Sequence, residues 1–271
     1  QCAAPVCGPS RAAVFSGVAP HKTGIFTNSD KFGPIHDRYE LLPQYFEKHG
    51  YRTMGGGKLM HGGEKTAPEA FQEYGPDFNK WSPLTPGETK ITAEEQAAGT
   101  AVINHRVDRG PGKMNVVLPR NQMPRDRNPD SDTIESFDWG PFNVPDSEMS
   151  DTVLADWGIA QLERKHDKPF FLGLGFYRPH QPLFVPWAYL RMYPLRTVKL
   201  PETRTDDLDD LGGVAKDFAR RALTSGRHDT VVDHGQWRTA VACYLACVSF
   251  VDAQVGRVLD ALDNSPYAEN T

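Results

Sequence analysis

Four places in this chain of 271 residues combine side chains that could do chemistry. The first is Cys7-Gly8-Pro9-Ser10-Arg11, a cysteine just ahead of a Pro-Ser-Arg turn. Proline suits the first turn of a helix, because its fixed φ is already helical and its missing N–H would be unpaired there. Cys7 is therefore expected at a helix N-terminus, where backbone N–H groups and partial positive charge favour a thiolate or an anionic ligand. Arg11, one turn on, adds a planar cationic fork suited to an oxyanion group. The plain alternative is a buried cysteine that starts an ordinary helix. The second place is Gly55-Gly56-Gly57-Lys58-Leu59-Met60-His61-Gly62-Gly63. Clustered glycines let a backbone turn sharply or approach a ligand closely. Lys58 and His61 are then either exposed loop residues or a cation and a proton carrier in one turn. The third is Tyr177-Arg178-Pro179-His180, where His180 either caps a strand or faces a ligand. The fourth, Asp206-Asp207-Leu208-Asp209-Asp210, lacks the Gly and Glu of a calcium loop and reads as a solvated acidic turn.

Several elements must hold these residues in place. Gly17 ends the helix that Cys7 begins, and His21 follows in a loop. Leu41, Leu42, Tyr45 and Phe46 recur at helical spacing, so a helix is expected over 39–49, with Gly50 beyond its end. Tyr51 to Met54 reads as a short strand running into the glycines. An amphipathic helix is expected over 151–166, with Val153, Leu154, Trp157, Ile159 and Leu162 apolar, broken at Lys168-Pro169. The run Phe170 to Phe176 has the length and composition of a strand covered on both faces. It leads into the loop of His180, and α/β proteins place ligands at such carboxyl ends. The longest helix is expected over 239–263, packed through Val241, Leu245, Val248, Val251, Val255, Val258, Leu259 and Leu262, with Asp252 beside the stripe. Cys243 and Cys247 share one face of it and read as core residues. Residues 64–150 are irregular, rich in Pro, Gly, Asp and Asn, which points to functional loops or an insertion.

Composition narrows the class. With 39% hydrophobic and 24% charged residues the chain has material for a core, and a net charge of −5 does not suggest nucleic-acid binding. No run is expected to reach the length of a transmembrane helix. Four cysteines do not make a disulfide framework in a chain this long. A Cys2–Cys7 redox pair lacks Cys-x-x-Cys spacing and leaves Arg11 and Gly17 unexplained. Cys7 lies almost at the start, where a catalytic strand end would need a strand before it. The chain is accordingly read as truncated, and its lack of a signal peptide says nothing about compartment.

Cys7, Pro9, Ser10, Arg11 and Gly17 together resemble the signature of the type I, formylglycine-dependent sulfatases: Cys-x-Pro-Ser-Arg, then glycine six residues after the arginine. Phe15-Ser16 replaces the family's usual Leu-Thr. The pattern helix, Gly50, Tyr51, strand, Gly57-Lys58 is similar to the family's second motif. The two residues separating Lys58 from His61 match the iduronate-2-sulfatase-like branch. Pro169 to His180 looks like the family segment whose histidine faces the leaving group.

The resemblance implies an α/β, alkaline-phosphatase-like fold, a mixed, mostly parallel sheet flanked by helices, here truncated at both ends. Residues 1–271 would form part of one catalytic domain, with 64–150 a substrate-pocket insertion. His105, Arg106, Arg109, Lys113, Arg120, Arg125 and Arg127 would be either a solvated loop or a rim attracting a sulfated substrate. The implied activity is hydrolysis of a sulfate monoester, with a sulfated carbohydrate as substrate. A formylglycine-generating or sulfatase-maturating enzyme would oxidise Cys7 to formylglycine, whose hydrate attacks sulfur. Arg11 would hold the diol and Lys58 would bridge it to the sulfate. His180 would protonate or hold the leaving oxygen, Arg178 would contact substrate, and His61 would take the proton that releases sulfate. One calcium ion would bind formylglycine at Cys7 and carboxylates outside the chain, so these residues alone are expected neither to bind calcium well nor to turn over. A periplasmic or secreted location is implied. The alternatives are a phosphodiesterase or phosphonate hydrolase of the same superfamily, a non-catalytic sulfated-glycan-binding relative, and a thiol redox protein.

Overall fold

The computed structural model describes residues 2–30, 35, 38–61, 69–76, 106–107, 116–117, 137–142, 144–220 and 227–271. Among these, the helices of seven or more residues are α1 (Cys7–Ser16), α2 (Leu42–Lys48), α3 (Ser150–Glu163), α4 (Gly213–Ala219) and α5 (Trp237–Asp263). The strands are β1 (Arg52–Gly57), β2 (Glu73–Tyr74), β3 (Arg106–Val107), β4 (Val116–Val117), β5 (Trp139–Phe142), β6 (Phe170–Gly175) and β7 (Leu183–Pro186). The chain divides into two compact units: Gln1–Lys80 with Ser150–Tyr177 and Ala253–Thr271, and Trp81–Met149 with Arg178–Asp252.

In the first unit a parallel sheet runs in the order β2-β1-β6. Neighbouring parallel strands need a crossover, and helical α3 lies in the chain between β2 and β6. β1 pairs with β6 in unbroken register from Arg52↔Phe170 to Gly57↔Gly175. Thr53 and Met54, at the centre of the sheet, are fully buried. The strand is longer than expected, because Gly55, Gly56 and Gly57 belong to it and not to a loop. Packing explains this: a Cβ on Gly55 would lie 2.8 Å from the Phe71 ring, and one on Gly56 would lie 2.9 Å from Leu154 of α3. Only Gly57, at φ +71°, turns the chain. β6 is half-buried along its length, as the edge strand of the described sheet, where coverage of both faces was expected.

Ala12 and Phe15 of α1 pack with Leu41, Leu59, Met60 and Phe71 in one core. α2 is shorter at both ends than its periodicity suggests. Leu41 sits at its N-cap, fully buried, and its N–H donates to Gln44 Oε1 at 2.8 Å. α3 follows expectation closely, burying Leu154, Ala155 and Leu162. Glu73 of β2 ties the unit together, accepting from Arg52 of β1 and from Arg164 beyond α3, each at 2.8 Å.

In the second unit β5 and β7 pair in parallel, and the β3–β4 pair is antiparallel. Its core gathers Trp139, Met149, Phe184 and Val185 with Cys243, Ala246, Cys247 and Phe250 of α5. The two cysteines are core residues, as expected. The rest of the expected stripe is not the buried seam: Val248, Val255 and Leu259 are among the exposed apolar residues, and Asp252 is exposed. Alanine and cysteine at the seam admit close neighbours that valine and leucine would hold off. α5 is also long and apolar enough, by length and composition alone, to cross a bilayer, against expectation. Its seam nevertheless lies in a protein core. The acidic turn behaves as one: Asp206 pairs with Arg204 at 2.9 Å and Asp209 with Lys216 at 3.2 Å, on the surface.

Candidate active site

Cys7 opens α1, preceded by Val6 in an extended conformation that supplies no side-chain cap. The cap comes from another loop: Gly8 N–H donates to Asn28 Oδ1 at 2.7 Å. That loop is itself braced, since Asp30 Oδ2 accepts from the N–H groups of Phe26 and Thr27, both at 2.8 Å. These two bonds hold the Asp30 carboxyl below its usual pKa. Gly8 suits the approach, because a Cβ there would sit 3.1 Å from Thr27 O and 3.2 Å from Asn28 Oδ1. One helix N–H that the sequence offers to an anion is thus already taken. Cys7 is half-buried and is a free thiol, as is the exposed Cys2, whose Sγ donates to Ala4 O at 2.6 Å.

Arg11 reaches from α1 to the turn that follows β1. Its Nη1 donates to Lys58 O at 2.5 Å and to Leu59 O at 2.9 Å. Burial lowers the guanidinium pKa from its ordinary value, and the nearby ionisable groups of Cys7 and Tyr74 act in the opposite direction. An arginine so placed stays cationic.

The peptide groups around Lys58 are gripped from four sides. Gly57 N–H donates to Pro76 O at 3.0 Å, and Tyr74 Oη donates to Gly57 O at 2.7 Å. Lys58 N–H donates to Gly175 O at 2.7 Å, and Arg11 takes the two carbonyls beyond. At about 0.5–1.5 kcal/mol net per bond, this turn is held as firmly as regular structure. The Lys58 Nζ lies 4.8 Å from the centroid of the Tyr177 ring. His61, half-buried, ends the same turn. The first unit therefore brings Cys7, Arg11, Lys58 and His61 onto α1 and the turn it clasps.

Arg178 and His180 belong to the second unit. Arg178 is only 3% exposed, and its Nη1 donates to the carbonyls of His180 and Pro182. The Arg178-Pro179 and Gln181-Pro182 peptides are both cis. His180 Nδ1 lies 2.5 Å from Gln181 O, a partner that can only accept. Nδ1 therefore carries the proton; Nε2 is an acceptor in the neutral ring and a donor in the charged one.

Of the basic segment 105–127, only the backbone at Arg106–Val107 and Val116–Val117 lies within the described residues. Gly62 and Gly63 lie outside them. Sequence reasoning passed over Asn28, Tyr74 and Tyr177. Their partners are Gly8, Gly57 and Lys58, at 17 or more positions' distance, so no local spacing signals them.

The family model described as Sulfatase matches residues 1–271. A sulfatase from Formosa agariphila is 34% identical over 279 residues, covering 100% of this chain and 48% of its own length. Human iduronate 2-sulfatase is 27% identical, covering 98% of this chain and 44% of its own. The chain thus spans about half the length of the curated relatives it matches. Among solved structures, a phosphonate monoester hydrolase of Agrobacterium radiobacter superposes with a TM-score of 0.60 at 17% identity, over 97% of this chain and 51% of that one. That likeness is one of fold, and the fold is the alkaline-phosphatase-like α/β arrangement expected from the sequence.

Proposed function

From the premise that this chain belongs to the sulfatase family, we propose that the protein is a sulfuric ester hydrolase acting on sulfate monoesters of a sulfated carbohydrate. The observation that carries this is the clasp of Arg11 on Lys58 and Leu59, which sets the cysteine-bearing helix end and the lysine turn in one unit. Cys7 fits the formylglycine that the family resemblance implies: it is a free, half-buried thiol at a helix start with a half-buried guanidinium in electrostatic reach. When formed, the aldehyde hydrate supplies the hydroxyl nucleophile. Arg11 keeps positive charge beside that position, and Lys58 offers an ammonium to the sulfuryl oxygens. Such preplaced charge is commonly the largest catalytic contribution. His61 is assigned the proton whose removal releases sulfate. His180 is assigned the leaving oxygen; its Nδ1 bond to Gln181 supports donation from Nε2 by the charged ring. Arg178, sealed and bonded to the His180 carbonyl, supports that loop from within.

Among the described residues no three His, Cys, Asp or Glu side chains gather as a metal group, and no step above runs through calcium. Calcium remains part of the proposal for the whole protein, where formylglycine at Cys7 and carboxylates outside these residues would hold it. A maturating enzyme for Cys7 and a periplasmic or secreted location complete the proposal on the family resemblance.

Two measurements on the full-length protein from its native host test this. Peptide mass spectrometry should find Cys7 converted to the aldehyde, and sulfate release should fall to background in Cys7→Ala. An unmodified thiol beside undiminished sulfate release would refute the nucleophile. Hydrolysis of phosphate diesters or phosphonate monoesters, with sulfate esters untouched, would refute the reaction.

A further inference from the structure

Lys58 is fixed at its backbone by the strand beside it, and its ammonium meets a residue from the end of that same strand. Parallel register sets Gly57 against Gly175, and the next residue, Lys58, donates its N–H to Gly175 O at 2.7 Å. Two residues further along lies Tyr177, with its ring centroid 4.8 Å from Lys58 Nζ. Tyr177 is anchored in turn, because its N–H donates at 2.7 Å to Asp151 Oδ1, a carboxylate 3% exposed in the first turn of α3. All four residues belong to one compact unit.

We propose that Tyr177, anchored by Asp151, is a positioning residue that holds the Lys58 ammonium over its ring and keeps it charged for an anionic sulfuryl group. An ammonium within about 6 Å of a ring centroid is attracted by the negative face of the ring. The attraction favours the charged form and narrows the positions a four-carbon stem could sample. The lysine is then set before the ester arrives, so less order has to be imposed on binding. The inference deepens the sulfatase reading and rests on it for the identity of the anion, though not for the contact itself.

The test is a substitution series in the full-length protein. Tyr177→Phe and Tyr177→Trp keep a ring face and should retain kcat/KM for a sulfate ester within about twofold. Tyr177→Leu should lose about 2- to 30-fold, the range that cation–π energies convert to, with an unchanged melting temperature. A second readout does not depend on activity. Brief acetic anhydride labelling, followed peptide by peptide, should acylate Lys58 several-fold faster in Tyr177→Leu, with exposed Lys48 as internal reference. Equal Lys58 labelling across the series overturns the proposal. So does a Phe variant as impaired as the Leu variant, or a loss of activity that tracks melting temperature. A wild-type protein that labels as expected but releases no sulfate overturns the sulfatase reading and leaves the positioning role standing.

Discussion

Gly175→Ala isolates the geometry on which the lysine turn depends. A Cβ at this position would lie 2.3 Å from Lys58 C, 2.4 Å from Lys58 O and 2.7 Å from Leu59 N. All three are backbone atoms, so no rotamer change relieves the clash. Gly175 is not among the described positive-φ glycines, so alanine's own backbone preference adds nothing and the effect is purely steric. Overpacking typically destabilises by about 1–3 kcal/mol. Pushing β1 from β6 also breaks the Lys58 N–H bond to Gly175 O, worth about 0.5–1.5 kcal/mol. The expected loss is about 1.5–4.5 kcal/mol, read as a lower denaturant midpoint at unchanged slope. Because the lysine shifts by a fraction of an ångström or more, turnover of a sulfate ester should fall by up to about 100-fold. Gly256→Ala is the control: no neighbour lies within 4 Å of its Cβ, and the site is inside α5. There alanine should stabilise by about 0.5–1 kcal/mol. A Gly175→Ala protein within about 0.5 kcal/mol of wild type, against that ~1.5 kcal/mol floor, would show that the contact between the strands is not tight. The steric reasoning would then fail.

Two further outcomes follow from the same unit. The Arg52 hydrogen bond, then the Arg164 one, hold the Glu73 carboxyl below its ordinary pKa. A depressed carboxylate contributes stability that is present above the unfolded value, about 4.3, and is lost as pH falls through the lower folded value. Glu73→Gln should therefore flatten the stability–pH curve below about pH 5 and cost about 1 kcal/mol or less at neutral pH, since both arginines are over a third exposed. A curve parallel to wild type in acid would contradict it. Asn28→Ala removes the remote cap of α1 and should destabilise by about 1 kcal/mol, while Asn28→Asp, which keeps the acceptor and adds charge favourable at a helix N-terminus, should not; urea titrations of the two variants would decide.

The parts of this molecule that local sequence could announce are those that depend on neighbours a few positions away. The Cys7 helix, the α3 amphipathic run and the Phe170 strand all follow from periodicity, proline and glycine. The glycines of β1 were harder: their purpose lies in Phe71 and Leu154, and alone they suggest a loop. The buried seam of α5 was hidden because four of its residues, Ala242, Cys243, Ala246 and Cys247, are small and carry little apolar bulk, while bulk made Val248 and Leu259 look like the core. Tyr177 and Asn28 carry no local signal. Their partners are set by strand register in one case and by loop closure in the other.

The two carbonyl bonds of Arg11 also bear on how relatives of this chain should be read. A side chain that fastens a helix to a turn stays under selection for folding after any chemistry is abandoned. A descendant that had become a mere binder of sulfated glycans would still keep Arg11, and it would keep the buried Arg178 because that side chain braces its own loop. Retention of either arginine is therefore no evidence of a living enzyme. On the roles proposed above, Cys7, the ammonium of Lys58 and the Nε2 edge of His180 are the positions whose loss would record retirement.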